Sequence, residues 1–293
     1  MREASPPRAL SLLLRCQCGS CALRLALDRP PPALRCHCAR CRRYHSSAFA
    51  AFLQIGARAP ALASLSPSTR THPDVCDAMG PVDRLSCLHC YSVLAWLPSS
   101  GEAGVLLSLG CVDDSSIPPP IAREWARRYA ECEPTQRARW WTAVPRQPAA
   151  PSVRTLRGGC ACGACAFEAQ SGGEFQTQHC YCKLCRRLSG SVGQTWVPVR
   201  PEGFRWRAKD ALRLVRTTAH GQRHVCTRCG GVLSIVYDSQ PDCIWPSAGV
   251  LDDASLPEDI GAALCRSIHI CCSMMQAWYE LPDDGLPRLK YAG

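Results

Sequence analysis

Cysteines dominate the residues that could do chemistry. Cys16 with Cys18 forms a C-x-C pair and Cys87 with Cys90 a C-x-x-C pair; Cys160 with Cys162 and Cys226 with Cys229 repeat both. A C-x-x-C turn sets two sulfurs on one side, and a C-x-C pair can do so from a β turn. Two such elements make a four-thiolate site of the kind zinc takes tetrahedrally. Because they come from distant segments, metal binding would staple a small domain. Structural zinc in peptides contributes ~10–16 kcal/mol of apparent binding energy, which becomes folding energy. Redox dithiols or idle buried thiols are the competing reading.

Cys36, Cys38 and Cys41, and again Cys180, Cys182 and Cys185, form C-x-C-x-x-C triads. Three thiolates are an incomplete tetrahedron. Catalytic zinc sites keep a fourth position open for water or substrate, whereas structural sites close it. Spacing leaves both alternatives: an open site able to accept a thiol, or one closed by Cys21, Cys165 or a histidine. His37, between two ligands, is expected to turn its ring away. Arg42-Arg43 and Arg186-Arg187 follow the triads directly. They would offset the negative charge of a three-thiolate zinc and could grip carboxylates of an anionic thiol, unless they form a plain solvated basic face.

These sets lie in a chain of 293 residues with 23 Cys, 34 Lys+Arg and 24 Asp+Glu. Apolar content of 46% with 20% charge excludes a chain disordered throughout. The run Leu12–Leu14 is too short for a signal-peptide core, and no stretch approaches the ~18 apolar residues of a membrane helix. The expectation is a soluble, cytoplasmic protein, with the nucleus as a second compartment, in which so many cysteines serve metal rather than disulfides. The formal charge of +10 would suit nucleic acid. A four-thiolate zinc carries about −2 and a three-thiolate zinc about −1, so two of each leave about +4. With no Lys/Arg run interleaved with aromatics, the charge argues against a nucleic-acid partner.

The elements that hold the cysteines come in two copies. All six cysteines from Cys16 to Cys41 recur 144 residues later; Cys87, Cys90, Asp113 and Asp114 recur 139 later. The first copy therefore carries five extra residues between Cys41 and Cys87, where ARAPALASLSPSTRTHPD reads as an irregular loop. The copies run from about 14 to 141 and from 157 to 293, joined by a Pro/Ala linker over 142–156. Alternating or β-branched runs predict strands at Cys165–Ala169, Thr195–Val199, Phe204–Arg207, Leu212–Arg216 and Val232–Tyr237. Ile121–Glu131 is the one helical candidate. The fold class is mainly β: two tandem zinc-binding domains of small antiparallel sheets with metal-bearing turns.

Other residues invite structural readings. His269 fits a satisfied buried histidine, and Asp113-Asp114 and Asp252-Asp253 fit turns with capping carboxylates. Cys271-Cys272 reads as buried strand. Cys76, Cys111, Cys132, Cys243 and Cys265 receive no partner in the other copy and no role.

The second copy resembles the glutathione-dependent formaldehyde-activating enzyme family, which includes centromere protein V. The resemblance rests on Gly159-Cys160-Ala161-Cys162-Gly163, on Cys180-Tyr181-Cys182-Lys183-Leu184-Cys185-Arg186-Arg187 followed by Ser189-Gly190-Ser191, on Cys226-Thr227-Arg228-Cys229-Gly230, and on the close His269-Ile270, Trp278-Tyr279, Asp284-Gly285-Leu286-Pro287. The first copy is similar but worn. Tyr91 stands where the family usually has Gly, Tyr44-His45-Ser46-Ser47 replaces the S-G-S stretch, and no His-Ile pair precedes Trp140-Trp141. The resemblance implies a β-tent fold in each copy and about two zinc ions per domain. It implies a three-Cys zinc at Cys180, Cys182 and Cys185, and less securely at Cys36, Cys38 and Cys41, where glutathione's thiolate becomes the fourth ligand. It also implies carbon–sulfur lyase chemistry between a small thiol and an aldehyde, of the S-hydroxymethylglutathione synthase type, with Arg186 and Arg187 as candidate partners of glutathione's carboxylates. The alternative it offers is a non-enzymatic, zinc-stabilised interaction module of the centromere protein V type.

Overall fold

A computed structural model describes residues 10–56, 67–76, 80–99, 104–131, 139–142, 154–171, 177–258, 266–281 and 283–291. The first copy contains β1 (Leu10–Arg15), β2 (Ala22–Leu27), β3 (Ala33–Cys36), α1 (Ala39–His45), β4 (Ala50–Ile55), β5 (Thr69–Cys76), β6 (Gly80–Cys87), β7 (Val93–Pro98), β8 (Val105–Ser108), α2 (Pro119–Glu131) and α3 (Arg139–Thr142). The second contains β9 (Arg154–Gly159), β10 (Cys165–Ser171), β11 (Gln178–Cys180), α4 (Lys183–Ser189), β12 (Gln194–Trp196), β13 (Phe204–Lys209), β14 (Leu212–Thr218), β15 (Gly221–Cys226), β16 (Val232–Tyr237), β17 (Gln240–Pro246) and β18 (Ile268–Ile270).

The protein is mainly β, in several small sheets. β1 and β2 pair antiparallel with Leu10, Leu12, Leu14, Leu23 and Leu25 all turned inward, the period-two pattern of a half-buried hairpin. The other strands of the first copy form a six-stranded sheet, β3-β4-β8-β7-β6-β5. The second copy has three sheets: β13-β10-β9, β12-β11-β18 and β14-β15-β16-β17. Pairing is antiparallel except between β11 and β18.

Several expectations need correction. The triads open short helices rather than lying in turns: Cys38 and Cys182 are the N-caps of α1 and α4, each Sγ accepting the N–H of the third cysteine at 3.4 Å. Both helices end in a left-handed residue, Ser46 at φ 51° and Gly190 at φ 68°. Seven residues are too few for apolar periodicity to reveal; capping defines these helices. The end of the supposed loop, from Thr69 to Asp74, lies in strand β5. Thr69 faces Cys87 and Leu212 faces Cys226, an offset of 143, so four of the five extra residues lie in the β5–β6 hairpin. Cys271 is not in a strand; it takes φ 58° and starts a 3-10 turn. Arg154–Leu156, placed in the linker by composition, begins β9, and residues 143–153 lie outside the described ones. So do Cys132 and Cys265.

The copies share one core, and their contacts repeat as about a two-fold axis. α1 packs on the turn Ala248–Val250 and α4 on the matching turn Leu109–Cys111. The approach is too close for any side chain. A methyl on Gly110 would sit 2.2 Å from the Ser191 carbonyl oxygen; one on Gly249, its equivalent, would sit 2.4 Å from the nitrogen of Ser47, the equivalent of Ser191. Arg42 binds Asp253 and Arg186 binds Asp114; Arg43 reaches Asp252 and Arg187 reaches Asp113. Cys111 belongs here too, its buried Sγ donating to the carbonyls of Val93 and Arg187 at 3.1 and 3.2 Å.

Candidate metal centres

Each four-cysteine set is assembled by the β1–β2 or β9–β10 turn and the turn leaving β6 or β15. Cys16, Cys18, Cys87 and Cys90, and Cys160, Cys162, Cys226 and Cys229, each keep their sulfurs within 4.8 Å of one another. Four thiolates ~2.3 Å from a tetrahedral zinc stand ~3.8 Å apart. The pairs Cys16–Cys18 and Cys18–Cys87 are at 3.5 and 3.7 Å, and Cys160–Cys162 and Cys162–Cys226 at 3.5 and 3.6 Å. Backbone N–H groups of Cys21 and Cys165 point at Cys16 and Cys160 Sγ at 3.3 Å, as donors to a thiolate do. Donor type, spacing and the backbone N–H groups aimed at the sulfurs all fit a thiophilic cation.

The protonation chemistry agrees. Cys16 and Cys160 are held far below the usual thiol range by side-chain hydrogen bonds, first from Cys21 and Cys165 respectively and then from the facing C-x-x-C pair. Cys162 is lowered to about 6, chiefly by Cys229. Cys87 and Cys226 are driven up, chiefly by Cys16 and Cys160 respectively. Cys16 takes the charge in the first cluster and Cys160 with Cys162 in the second, while other sulfurs keep protons that a cation would displace. Cys21 and Cys165 lie beside these sets, so neither is the fourth ligand of a triad.

The triads also hold their sulfurs within 4.8 Å, but their surroundings differ. Around Cys36, Cys38 and Cys41, the rings of Tyr44, Phe52 and Trp96 pack tightly. Arg84 lies over the Tyr44 ring at 3.7 Å and pairs with Asp74, which also binds Arg40. Cys180, Cys182 and Cys185 line a cavity of about 120 Å³ walled by Trp196, Ile235, Tyr237, Trp245 and Ile270. Cys182, half-buried, is held far below the ordinary thiol range by Cys180 and then Cys185. Arg223, fully buried, enters the same cavity with one amino group 3.8 Å from Cys185 Sγ.

Arg186 and Arg187, the arginines singled out for carboxylate binding, are placed elsewhere. Arg186 is fully buried against Asp114, and Arg187 is buried against Asp113. Neither lines the cavity. The aspartate pairs do form turns, with Asp113 capping Ser115, but their larger contact is with the opposite copy's arginines. His269 is satisfied on both nitrogens by Tyr181 and Asp284 at 2.9 Å. His37 is buried against Phe49, outside the triad's ligand set. Two cavity residues escaped the sequence reading. Arg223 carried no motif label. Cys271, which lines the cavity and hydrogen-bonds Cys180 and Cys182, had a signal: Cys132 stands 139 residues before it, so Cys132 does have a partner.

Comparison with known proteins agrees with this duplicated arrangement. A family model described as glutathione-dependent formaldehyde-activating enzyme matches residues 12–128 and 155–272. A protein of Halomonas elongata named as a putative glutathione-dependent formaldehyde-activating enzyme is 26% identical over 135 residues, 43% of this chain and 80% of its own length. A solved Rhodobacter sphaeroides protein, 22% identical, matches 36% of this chain and 94% of its own with a TM-score of 0.29. Among the described residues, no helix is long and apolar enough to cross a membrane.

Proposed function

The chain belongs to the glutathione-dependent formaldehyde-activating enzyme family, and from that premise we propose that its second copy binds a thiol, glutathione in the first instance, at Cys180, Cys182 and Cys185, and makes or breaks a bond between that sulfur and an aldehyde carbon. In the forward direction the thiol loses its proton, sulfur bonds to the carbonyl carbon, and the carbonyl oxygen gains a proton; the reverse releases thiol and aldehyde. The carrying observation is the cavity of about 120 Å³ on the second triad.

The three cysteines are the residues that would hold a zinc ion, and such an ion lowers a bound thiol's pKa and keeps its sulfur nucleophilic. The chain supplies the rest. Trp196, Ile235, Trp245 and Ile270 give the cavity apolar walls that limit water. The N-cap position of Cys182 fixes its sulfur relative to Cys185. The four-Cys sets would hold structural zinc, for about two ions per copy. The first triad, packed by Tyr44, Phe52 and Trp96, fits a supporting role in which its copy buttresses the second.

The test is cobalt substitution of the full chain followed by titration with glutathione, alone and with formaldehyde. A change in the visible thiolate bands that Cys182→Ser abolishes and Cys38→Ser leaves supports the proposal. Bands that ignore glutathione at full metal loading would overturn it.

A further inference from the structure

Arg223 is a fully buried cation with an incomplete set of partners. One amino group faces Cys185 Sγ at 3.8 Å, the other donates to the Thr217 hydroxyl, and the guanidinium lies 5.6 Å from the Trp196 ring centroid. Nε has no partner, and no carboxylate among the described residues pairs with the group. A buried charge is expensive unless paired and hydrogen-bonded. The cysteine sulfurs beside it are no carboxylate, and only one of its three nitrogens faces them.

The first copy shows what is missing. Arg84 is the equivalent of Arg223, on β6 three residues before Cys87 as Arg223 is on β15 three before Cys226. It stands beside the same kind of triad, and there the fold provides a carboxylate, Asp74. The registers identify its counterpart. Thr69 faces Cys87 and Leu212 faces Cys226, so five residues along each strand Asp74 corresponds to Thr217. Each of these residues contacts the matching arginine. Arg40, the second partner of Asp74, corresponds to Leu184, which lines the cavity. One copy thus fills the guanidinium with its own carboxylate, and the other offers a hydroxyl and open space.

We propose that Arg223 receives a carboxylate of the incoming thiol substrate, and that Asp74 occupies the corresponding place in the first copy from within the chain. This rests on the thiol-binding reading of the second triad and narrows its substrate to thiols bearing an anionic group near the sulfur. It assigns the recognition of that group to Arg223 rather than to Arg186 or Arg187, which the opposite copy's aspartates already hold. It also makes Asp74 a built-in substitute for substrate, which keeps the first site shut.

The test uses the cobalt-loaded full chain and two small thiols, mercaptoacetate and the neutral 2-mercaptoethanol. A charge-assisted hydrogen bond in a dry site should favour mercaptoacetate at least ~10-fold in the concentration that shifts the visible bands. Thr217→Asp should bring that ratio close to one and raise the melting temperature, because it gives Arg223 the partner that Arg84 has. Thr217→Asn, neutral and of similar size, should keep the preference; Arg223→Gln should lose it. Should Arg223→Gln fail to fold, the Thr217 pair decides alone. Equal response to both thiols in the unaltered chain, or a preference that survives Thr217→Asp, overturns the assignment while leaving thiol binding intact. If neither thiol moves the bands, the thiol-binding reading itself fails and takes this proposal with it.

Discussion

Arg186 and Asp114 meet across the two copies through parallel N–H···O bonds of 2.5 and 2.7 Å. The arginine is fully buried and the aspartate is 44% exposed. Arg42 and Asp253 repeat the pair at 3.1 and 2.5 Å with the copies exchanged. Residues that follow a cysteine triad in sequence thus serve the junction between copies. Asp114→Asn should lower the free energy of unfolding by about 1–3 kcal/mol, below the full cost of breaking a buried pair because Asp114 is partly hydrated. A double-mutant cycle with Arg186→Met measures it, and a coupling near zero would contradict the role assigned to the pair.

Gly110→Ala tests the same junction through backbone rather than charge. Its methyl would meet Ser191 oxygen and nitrogen at 2.2 and 2.5 Å, and no side-chain rotation relieves a backbone clash. The expected loss is more than about 2 kcal/mol, read by denaturant unfolding. Gly249→Ala should behave alike, since the contact recurs there.

At the four-thiolate sets, Cys162→Ser should remove one metal equivalent per chain and lower the thermal midpoint sharply, because the set joins the β9–β10 turn to the turn after β15. Cys165→Ser should keep the metal content, since Cys165 stands outside the ligand group. Elemental analysis of both variants is the measurement, and equal metal loss would show that the ligand group is drawn wrongly.

Stability should fall in mild acid through buried imidazoles. Burial lowers His45 to about 3, against the opposing pull of the Ser189 carbonyl. His224 is lowered to about 4 by burial, and His72, His179 and His269 shift the same way. An unfolded histidine takes up its proton near pH 6.5, while folded His45 does so only near pH 3. The unfolded state therefore binds more protons throughout that window. The His45 contribution is fully present above pH 6.5 and is lost as pH falls, at about 1.4 kcal/mol per unit. His45→Gln should reduce proton uptake on unfolding at pH 5 by about one, measured potentiometrically.

What the sequence made legible follows from what was repeated. Cysteine spacing alone picked out the two four-cysteine sets and the two triads whose sulfurs the fold gathers, because a constant offset is visible without structure. The β class was equally readable from alternation, as at Val232–Tyr237. The meaning of Arg186 was not, because nothing local says that a buried guanidinium will find its carboxylate 72 residues upstream. Asp74 and Thr217 were hidden for another reason. The four-residue excess in the β5–β6 hairpin puts them out of step in a simple repeat comparison, and only strand register restores the match.

The glycine contact at Gly110 and its twin at Gly249 have a historical consequence. In an assembly of two identical chains, any replacement near one site is imposed on both. Once the partners share a single polypeptide, Asp74 can change while Thr217 does not. The junction keeps its two glycines and its arginine–aspartate pairs in both halves while residues beyond them diverge. On the proposed function, the first half can lose its chemistry and still serve as the second half's neighbour.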